Sequence, residues 1–509
     1  PPPARDLPLP ADAVLAWGGA VNLGRRQHMR TAQLGAENVL DIPELRAADL
    51  AVVNLDCVVS TLGTQGVDKG EDGPFYYRAR PEMLRVLTAA GIDAVAVANA
   101  HSGDYGPTAL QQQHGILDAL GIASTGSGAN RQDAFAPVIC RAGNVRVALL
   151  SVDTTQHRFA AGDDGFGTAY LSPRDPQAWR RVMGERIAAA GKQADIVLVS
   201  AHWPARSTPT ADSDIRTLSH ALVDAGAHGV LGTTGAHLHG IELYHGKPII
   251  HGTGSLLSDT PRAWFRPGGL FRFGLGKTGI AWVEYVPVGI GDGFSQRLEG
   301  EAATRAIDSF DSACHALGTA LTRNAEQAFV RVDPSAPRSG STAAPAIRPS
   351  DRYRHDVLAT YTPDAALGQA GFVPGDARIA PVSLNGLQLL GMRIRPSSIT
   401  CRQMLWIETW WSSPKPVRED LRLSFVAIPQ GSGEAAEWGR GTDHDPCDWM
   451  QPTSRWQPGR IYYDHYGLRP PAQEHIVPGA LQIELRVLGQ RPNSDCYLFP
   501  RPIPVEPPA

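Results

Sequence analysis

The chain has 509 residues, 47 basic against 51 acidic, and a formal net charge of −4 at pH 7. With 42% apolar residues this composition excludes a disordered or fibrous protein, and the charge balance gives no general pull toward nucleic acid or an anionic membrane. No apolar run approaches the roughly 20 residues that cross a bilayer, and the opening PPPARDLPLP lacks the basic and apolar regions of a signal peptide.

The length accommodates two to four domains of roughly 150 residues. Six cysteines (Cys57, Cys140, Cys314, Cys401, Cys447, Cys496) are too sparse for a disulfide scaffold and form no CxxC pair. Free buried thiols are expected, with a Cys447–Cys496 bridge as the alternative in an oxidising compartment.

Upstream of residue 333, short β-branched runs alternate with helix-like stretches. The runs are Val14–Trp17, Leu50–Val53, Ala94–Ala98, Val145–Ser151, Ile196–Ser200, Gly229–Leu231 and Pro248–Ile250, with helical spacing over Pro81–Ala90 and Leu110–Leu120. This predicts an α/β domain. Asp333–Asp351, DPSAPRSGSTAAPAIRPSD, is a Pro/Ser/Ala-rich flexible linker. Downstream, Leu389–Ile394, Met404–Trp411, Leu421–Ile428, Arg460–Asp464 and Leu481–Val487 are strands parted by Pro/Gly turns. They predict an all-β sandwich.

In the α/β half, polar residues follow strands at once. Asn54-Leu55-Asp56, Asn99-Ala100-His101 with Asp104, Ala201-His202-Trp203, GTTGAHLHG (232–240) and His251 all sit at strand carboxyl ends, where α/β folds gather their ligands. Alone, such a residue is a cap or a hydrogen-bonded core group, and His28, His220, His228 and His245 are assigned to that group. Together, Asp56, Asn99, His101, His202 and His237 form the O and N donor set expected around a divalent metal or in metal-free acid/base chemistry.

These loops resemble the CapA, or poly-γ-glutamate capsule (PGA_cap), family, whose loops read GD(V/I)xLGR, NLE, NNHxxDYG, HWG and GxHxH followed by QGIE. Here they are Gly19-Ala20-Val21-Asn22-Leu23-Gly24-Arg25, Asn54-Leu55-Asp56, Asn99-Ala100-His101-Ser102-Gly103-Asp104-Tyr105-Gly106, His202-Trp203-Pro204 and Gly232 to Glu242, over about residues 12–260. The resemblance implies a calcineurin-like metallophosphatase fold, a four-layer αββα sandwich, for residues 1–332. The linker then spans 333–352 and the β-sandwich 353–509.

Departures fall on the metal positions: Ala20 replaces Asp, Asp56 replaces Glu, Ala100 replaces Asn, and Thr234 and Ala236 stand at the paired His positions with His237 displaced by one. A dinuclear site is therefore not expected, since lost carboxylates no longer offset the desolvation of two close cations. One Mn, Zn or Mg ion held by Asp56, His202 and His237 or His239 is one reading. The other is metal-free proton transfer by His101 held by Asp104.

The expected catalytic residues are His101, Asp104 and His202. The expected substrate-binding residues are Asn22, Arg25, Asn54, Arg78 and Asn99, with Arg78 of the FYYR segment as an anion clamp. The C-terminal PTSRWQPG (452–459), with Tyr462-Tyr463-Asp464 and Pro478-Gly479-Ala480-Leu481, resembles a β-sandwich module that accompanies bacterial surface-polysaccharide proteins. Its tryptophans (Trp406, Trp410, Trp411, Trp438, Trp449, Trp456) are read as core, with sugar stacking as the alternative.

The resemblance implies an enzyme acting on an amide bond of an anionic polymer or peptide, by hydrolysis or transfer, with no nucleic acid partner and no integral membrane segment. A polysaccharide or envelope partner would engage the C-terminal domain. The alternatives are a peptide epimerase of the same fold and a non-catalytic binding or scaffold protein. The chain is periplasmic or envelope-associated if a leader was removed, and otherwise cytoplasmic.

Overall fold

The computed structural model describes residues 11–71, 74–204, 211–233, 237–259, 266–324, 326–332, 352–400, 403–430, 443–468, 479–489 and 495–506. The expected linker at 333–351 lies outside the described residues. The chain forms two compact units, one of Pro1–Leu23, Gln27–Leu62 and Pro81–Tyr361, the other of Gly24–Arg26, Gly63–Arg80 and Thr362–Ala509. No helix among the described residues is long and apolar enough to cross a membrane.

The first unit contributes, in chain order, β1 (Ala13–Val21), β2 (Leu50–Leu55), β3 (Ala94–Ala96), α1 (Pro107–Leu120), β4 (Ala123–Thr125), β5 (Val138–Ala142) and β6 (Val145–Asp153). It continues with α2 (Pro176–Gly191), β7 (Ile196–His202), α3 (Ser213–Asp224), β8 (Gly229–Thr233), β9 (Ile241–Tyr244), β10 (Lys247–Ile250), β11 (Arg266–Gly276), β12 (Gly279–Gly291) and α4 (Gly300–His315).

Among the described residues, an eleven-stranded sheet runs β12-β11-β1-β2-β3-β4 through its middle, and a six-stranded sheet runs β9-β10-β8-β7-β6-β5. The strands β1 to β4 are parallel, as are β6, β7, β8 and β10. Strands covered on both faces read as continuous apolar runs rather than alternating ones. β2, with the sequence LAVVNL, is buried at every position.

The two sheets share one apolar layer, in which Leu15, Trp17, Val52 and Ala96 of the first meet Leu149, Leu198, Leu231 and Ile250 of the second. The other face of the second sheet is covered by α2 and α3, where Trp179, Met183, Leu218 and Leu222 pack on Val197, Val199 and Val230. The predicted mixed α/β architecture is thus present. The long β11–β12 hairpin, joined in register from Arg266↔Ile290 to Gly276↔Gly279, was not anticipated.

Local chemistry sets the helix ends. In α1, Pro107 fills the first position, where no amide donor is needed. Ala109, Leu110, Gln113, Ile116, Leu117 and Leu120 bury one stripe, and Gly121 closes the helix at φ +90, its N–H returning to Leu117 and Asp118. In α2 the Asp175 carboxylate accepts from Ala178 N at 2.9 Å, a side-chain N-cap ahead of Pro176.

The second unit is all-β. It contains β13 (Arg378–Leu384), β14 (Leu387–Arg395), β15 (Leu405–Ser412), β16 (Arg422–Pro429), β17 (Ile461–Leu468), β18 (Gly479–Leu488), β19 (Asp495–Leu498) and β20 (Ile503–Glu506). One sheet is ordered Gln369–Ala370, β17, β15, β14, β13; the other is Ile399–Thr400, β20, β18, β16, with β19 on β18. Leu389, Ile407, Trp411 and Tyr462 of the first sheet pack with Leu423, Phe425, Ile483 and Leu485 of the second, the sandwich arrangement expected of alternating strands.

Trp411 and Trp456 belong to that core. Trp406 instead lies against His465 on the outer face at 4.9 Å, and Trp438 is outside the described residues. The described cysteines Cys57, Cys140, Cys314, Cys447 and Cys496 are free, so Cys447 and Cys496 are not bridged.

Cys447, Asp448 and Trp449 are consecutive left-handed residues at φ 59, 56 and 72, a conformation costing on the order of 1–2 kcal/mol per residue. The turn is tied down by two arginines of the same unit. Arg78 donates to the Asp448 carboxylate at 2.8 Å and its carbonyl at 3.1 Å, and Arg80 to the Asp445 carboxylate and Trp449 carbonyl, both at 2.8 Å. Arg80 and Asp445 are each 7% exposed. Removing one partner of a buried pair strands the other charge, so Arg80→Ala is expected to lower stability by about 3–5 kcal/mol. Urea unfolding of the full chain followed by tryptophan fluorescence would show it, and an unchanged midpoint would refute it.

Candidate functional site

The parallel registers bring strand carboxyl ends side by side. Asn54 lies opposite Ala20 and Ala96 in the first sheet, and His202 lies opposite Asp153 and Thr233 in the second. The loops beyond also join across the sheets. Ala98 N donates to Ser151 Oγ at 3.2 Å, and at the end of the second sheet Thr253 N donates to the Gly232 carbonyl at 2.8 Å. A side chain on Gly19 would stand 1.9 Å from the Gly254 carbonyl, so β1 meets this loop only as glycine.

Within the first group, Asn99 is fully buried and its amide is completely used. It donates to Asn54 Oδ1 at 3.1 Å and the Leu55 carbonyl at 2.8 Å, and accepts from His101 N and Ser102 Oγ, both at 3.0 Å. An amide has two donors and two acceptor sites, so Asn99 shapes the loop rather than presenting a group to a ligand. The loop carries His101, whose Nδ1 lies 2.8 Å from Asp104 Oδ2, with 15% of the imidazole exposed and the carboxylate fully buried. Asp56 Oδ1 and Asn54 Nδ2 are enclosed with no hydrogen-bond partner among the described residues.

In the second group, His202 is 8% exposed. Its Nδ1 is 2.9 Å from Thr233 Oγ1, and its carbonyl accepts from Thr154 N at 3.0 Å and Thr154 Oγ1 at 2.7 Å. His239 N donates to the Gly252 carbonyl at 2.8 Å, which fixes the backbone of the segment bearing His237 and His239. Asn22 is anchored by its N–H to the Leu257 carbonyl at 3.1 Å. Arg25 and Arg78 fall in the second unit. Arg25, at φ 58, lies over the Tyr77 ring at 5.5 Å, and the carboxylate clamped by Arg78 is Asp448 of the same chain.

Ala20 and Ala100 offer no ligand atom at two of the family's metal positions. Nδ1 of His101 and of His202 lie against Asp104 and Thr233, which leaves Nε2 of each ring for a proton or a ligand. Among the described residues no three His, Cys, Asp or Glu side chains are grouped as they would be around an ion. Thr234 and Ala236 lie outside the described residues.

Residues 14–260 match the family model described as bacterial capsule synthesis protein PGA_cap. This region belongs to the PGA_cap family. A Mycobacterium tuberculosis protein named "probable polyglutamine synthesis accessory protein" is 29% identical over 265 residues, 50% of this chain and 62% of the relative. PGA biosynthesis protein CapA of Bacillus subtilis is 28% identical over 276 residues, 53% of this chain and 70% of the relative. Capsule biosynthesis protein CapA of Bacillus anthracis is 23% identical over 282 residues, 54% and 67%. The chain thus spans less than two thirds of the mycobacterial relative.

One polar cluster of this PGA_cap region escaped the sequence reading. Glu242, 5% exposed, accepts from Arg216 at 2.7 Å and His220 at 3.0 Å on one oxygen, and lies 2.7 Å from His251 Nε2 on the other. His220, assigned from sequence to the plain structural group, is a member of it. His228, of the same group, accepts from Val197 N at 3.1 Å, and burial with Lys247 nearby pushes its pKa down to about 4. The Glu242 signal was faint because its partners come from α3 and from beyond β10, a dispersal that no local motif encodes.

Burial raises the Glu242 pKa, but the hydrogen bonds from His251, Arg216 and His220 outweigh it and hold the carboxyl well below the usual carboxylate range. A depressed carboxyl stabilises the fold above its unfolded pKa and loses that contribution as pH falls. The stability gap between the parent and Glu242→Gln is therefore expected to be full near neutrality and to shrink steadily once pH drops below about 4.5. Chemical denaturation across that range measures it; a gap independent of pH would contradict the assignment.

Proposed function

We propose that the chain is an enzyme of capsule-type polymer metabolism that hydrolyses or transfers at an amide bond of a carboxylate-rich, polyglutamate-like chain, with His101 as general acid/base. The observation that carries the proposal is the imidazole–carboxylate pair at 2.8 Å, its carboxylate fully buried and its ring partly exposed, at the strand ends where α/β folds bind ligands. The names of the tubercular and Bacillus subtilis relatives, polyglutamine synthesis and PGA biosynthesis, supply the substrate class. A metallophosphatase-like αββα fold is the parent architecture we infer. Two sheets sharing one apolar layer, with α2 and α3 outside the second, support it.

In this reading Asp104 accepts from Nδ1–H, which fixes the tautomer and leaves the Nε2 lone pair for chemistry. Nε2 takes a proton from water as the water oxygen bonds to the amide carbon. The C–N bond then breaks, and Nε2 returns the proton to the departing nitrogen. In a transfer reaction an acceptor amine replaces water. His202, held by Thr233, and the open oxygen of Asp56 orient the reacting groups.

The test is incubation of the full chain with poly-γ-glutamate, scoring new amine ends and chain length. His101→Gln is expected to slow turnover by about 10²–10⁴-fold, the usual contribution of a positioned acid/base, measured at a temperature below the unfolding midpoint of the variant. Equal rates in parent and variant would overturn the assignment, as would solvent deuterium uptake without cleavage.

A further inference from the structure

The second unit carries a groove of about 610 Å³ formed by the β13–β14 hairpin tip at Asn385–Gly386 and the loop from Ser413 to Leu421. That volume lies within the range of small-molecule and peptide-segment sites. Its walls are fixed by bonds that leave the two cations of its lining, Lys415 and Arg418, uncommitted among the described residues, while the one acidic residue of the lining, Glu419, is engaged. Asn385 N donates to Asp495 Oδ2 and Asn385 Nδ2 to the Val487 carbonyl, each at 2.7 Å. The loop is tied at one end by Gly459 N to the Ser413 carbonyl at 2.8 Å. At the other end, Thr453 Oγ1 donates to the Glu419 carbonyl and accepts from Leu421 N, both at 2.8 Å.

Between these anchors stand Pro414 and Pro416, which restrict φ and so lower the entropy that ordering would otherwise cost. Lys415 and Arg418 project from this stiffened loop and are exposed. Neither side chain has an ionic or hydrogen-bonding partner among the described residues. Two cations held on a rigid loop, facing a groove, are preorganised for anions without an internal salt bridge to break.

We propose that this groove binds an acidic polypeptide, the two cations engaging carboxylates while the half-buried Val417 receives the methylene portions of its acidic side chains. Among the described residues no aromatic ring lines the groove, so they form no flat apolar platform on which a pyranose ring would stack, and this favours a peptide-type polyanion over an acidic polysaccharide. The inference rests on the polyglutamate reading for the identity of the polymer. Its readout is affinity, which does not depend on whether His101 turns the polymer over.

The test uses the full-length chain and immobilised poly-γ-glutamate, with alginate as an acidic polysaccharide and dextran as a neutral one. The parent is expected to bind poly-γ-glutamate and to weaken as salt is raised. Lys415→Ala with Arg418→Ala is expected to raise Kd by about tenfold or more and to flatten the salt dependence, with an unchanged unfolding midpoint. Lys415→Arg should retain binding. The proposal is overturned if the parent does not bind, if the double variant binds like the parent, or if alginate binds as tightly and is lost in parallel.

Discussion

The first unit depends on a steric constraint: the carboxyl ends of its parallel strands come together only where backbone meets backbone. Gly19 sits where any Cβ would strike the Gly254 carbonyl at 1.9 Å, and Gly232 where one would strike the His251 carbonyl at 2.1 Å. Interiors are packed too densely to open such gaps elsewhere without loss. The two glycines therefore do for the strand ends what Leu149 and Leu198 do for the sheet faces. The apolar layer sets the separation of the sheets, and the glycines let the loops close over its edge.

On that frame the two histidines are held by different chemistry. Asp104 presents a carboxylate to His101 Nδ1, which accepts and cannot donate while ionised; it selects one tautomer. Thr233 presents a hydroxyl to His202 Nδ1, which donates or accepts by rotation and so follows whichever protonation state the ring adopts. The first arrangement suits a residue that must offer Nε2 as a base. The second suits one that must stay oriented while its surroundings change charge. Asn99 underlies the first because its saturated amide joins β2, the His101 backbone and Ser102 into one rigid piece.

Much of this was legible in the sequence because it is local. Parallel strands buried on both faces show as apolar runs, so β1, β2, β7 and β10 could be placed from composition, and the runs in β2, β7 and β10 were followed within two positions by Asn54, His202 and His251. The His101–Asp104 pair was legible for the same reason, with three positions separating its members. What escaped is what depends on distant partners. The saturation of Asn99 needs Asn54, and the Glu242 cluster gathers Arg216 and His220 from α3 with His251 from beyond β10. The β11–β12 hairpin was not among the predicted runs; Gly268 and Gly269, which carry no apolar side chain to mark a strand, pair within it.

Arg78 shows how a correct chemical reading can find an unexpected partner. A guanidinium in an aromatic-flanked segment does clamp a carboxylate, but the carboxylate belongs to Asp448, in a turn that would be unfavourable unassisted. Three successive left-handed residues give up backbone preference and aim the Trp449 carbonyl at Arg80 and the Asp448 carbonyl at Arg78. Each arginine thereby receives a carboxylate and a carbonyl oxygen together, and the geometry that strains the turn is what satisfies the cations. Each supports the other: without the turn the buried arginines would lose the carboxylate and carbonyl oxygens they share with it, and without the arginines the turn would lose the bonds that hold its left-handed residues. The Gly63–Arg80 segment and the Asp445–Trp449 turn are therefore parts of one structural element, although more than 360 positions separate their arginines from their carboxylates.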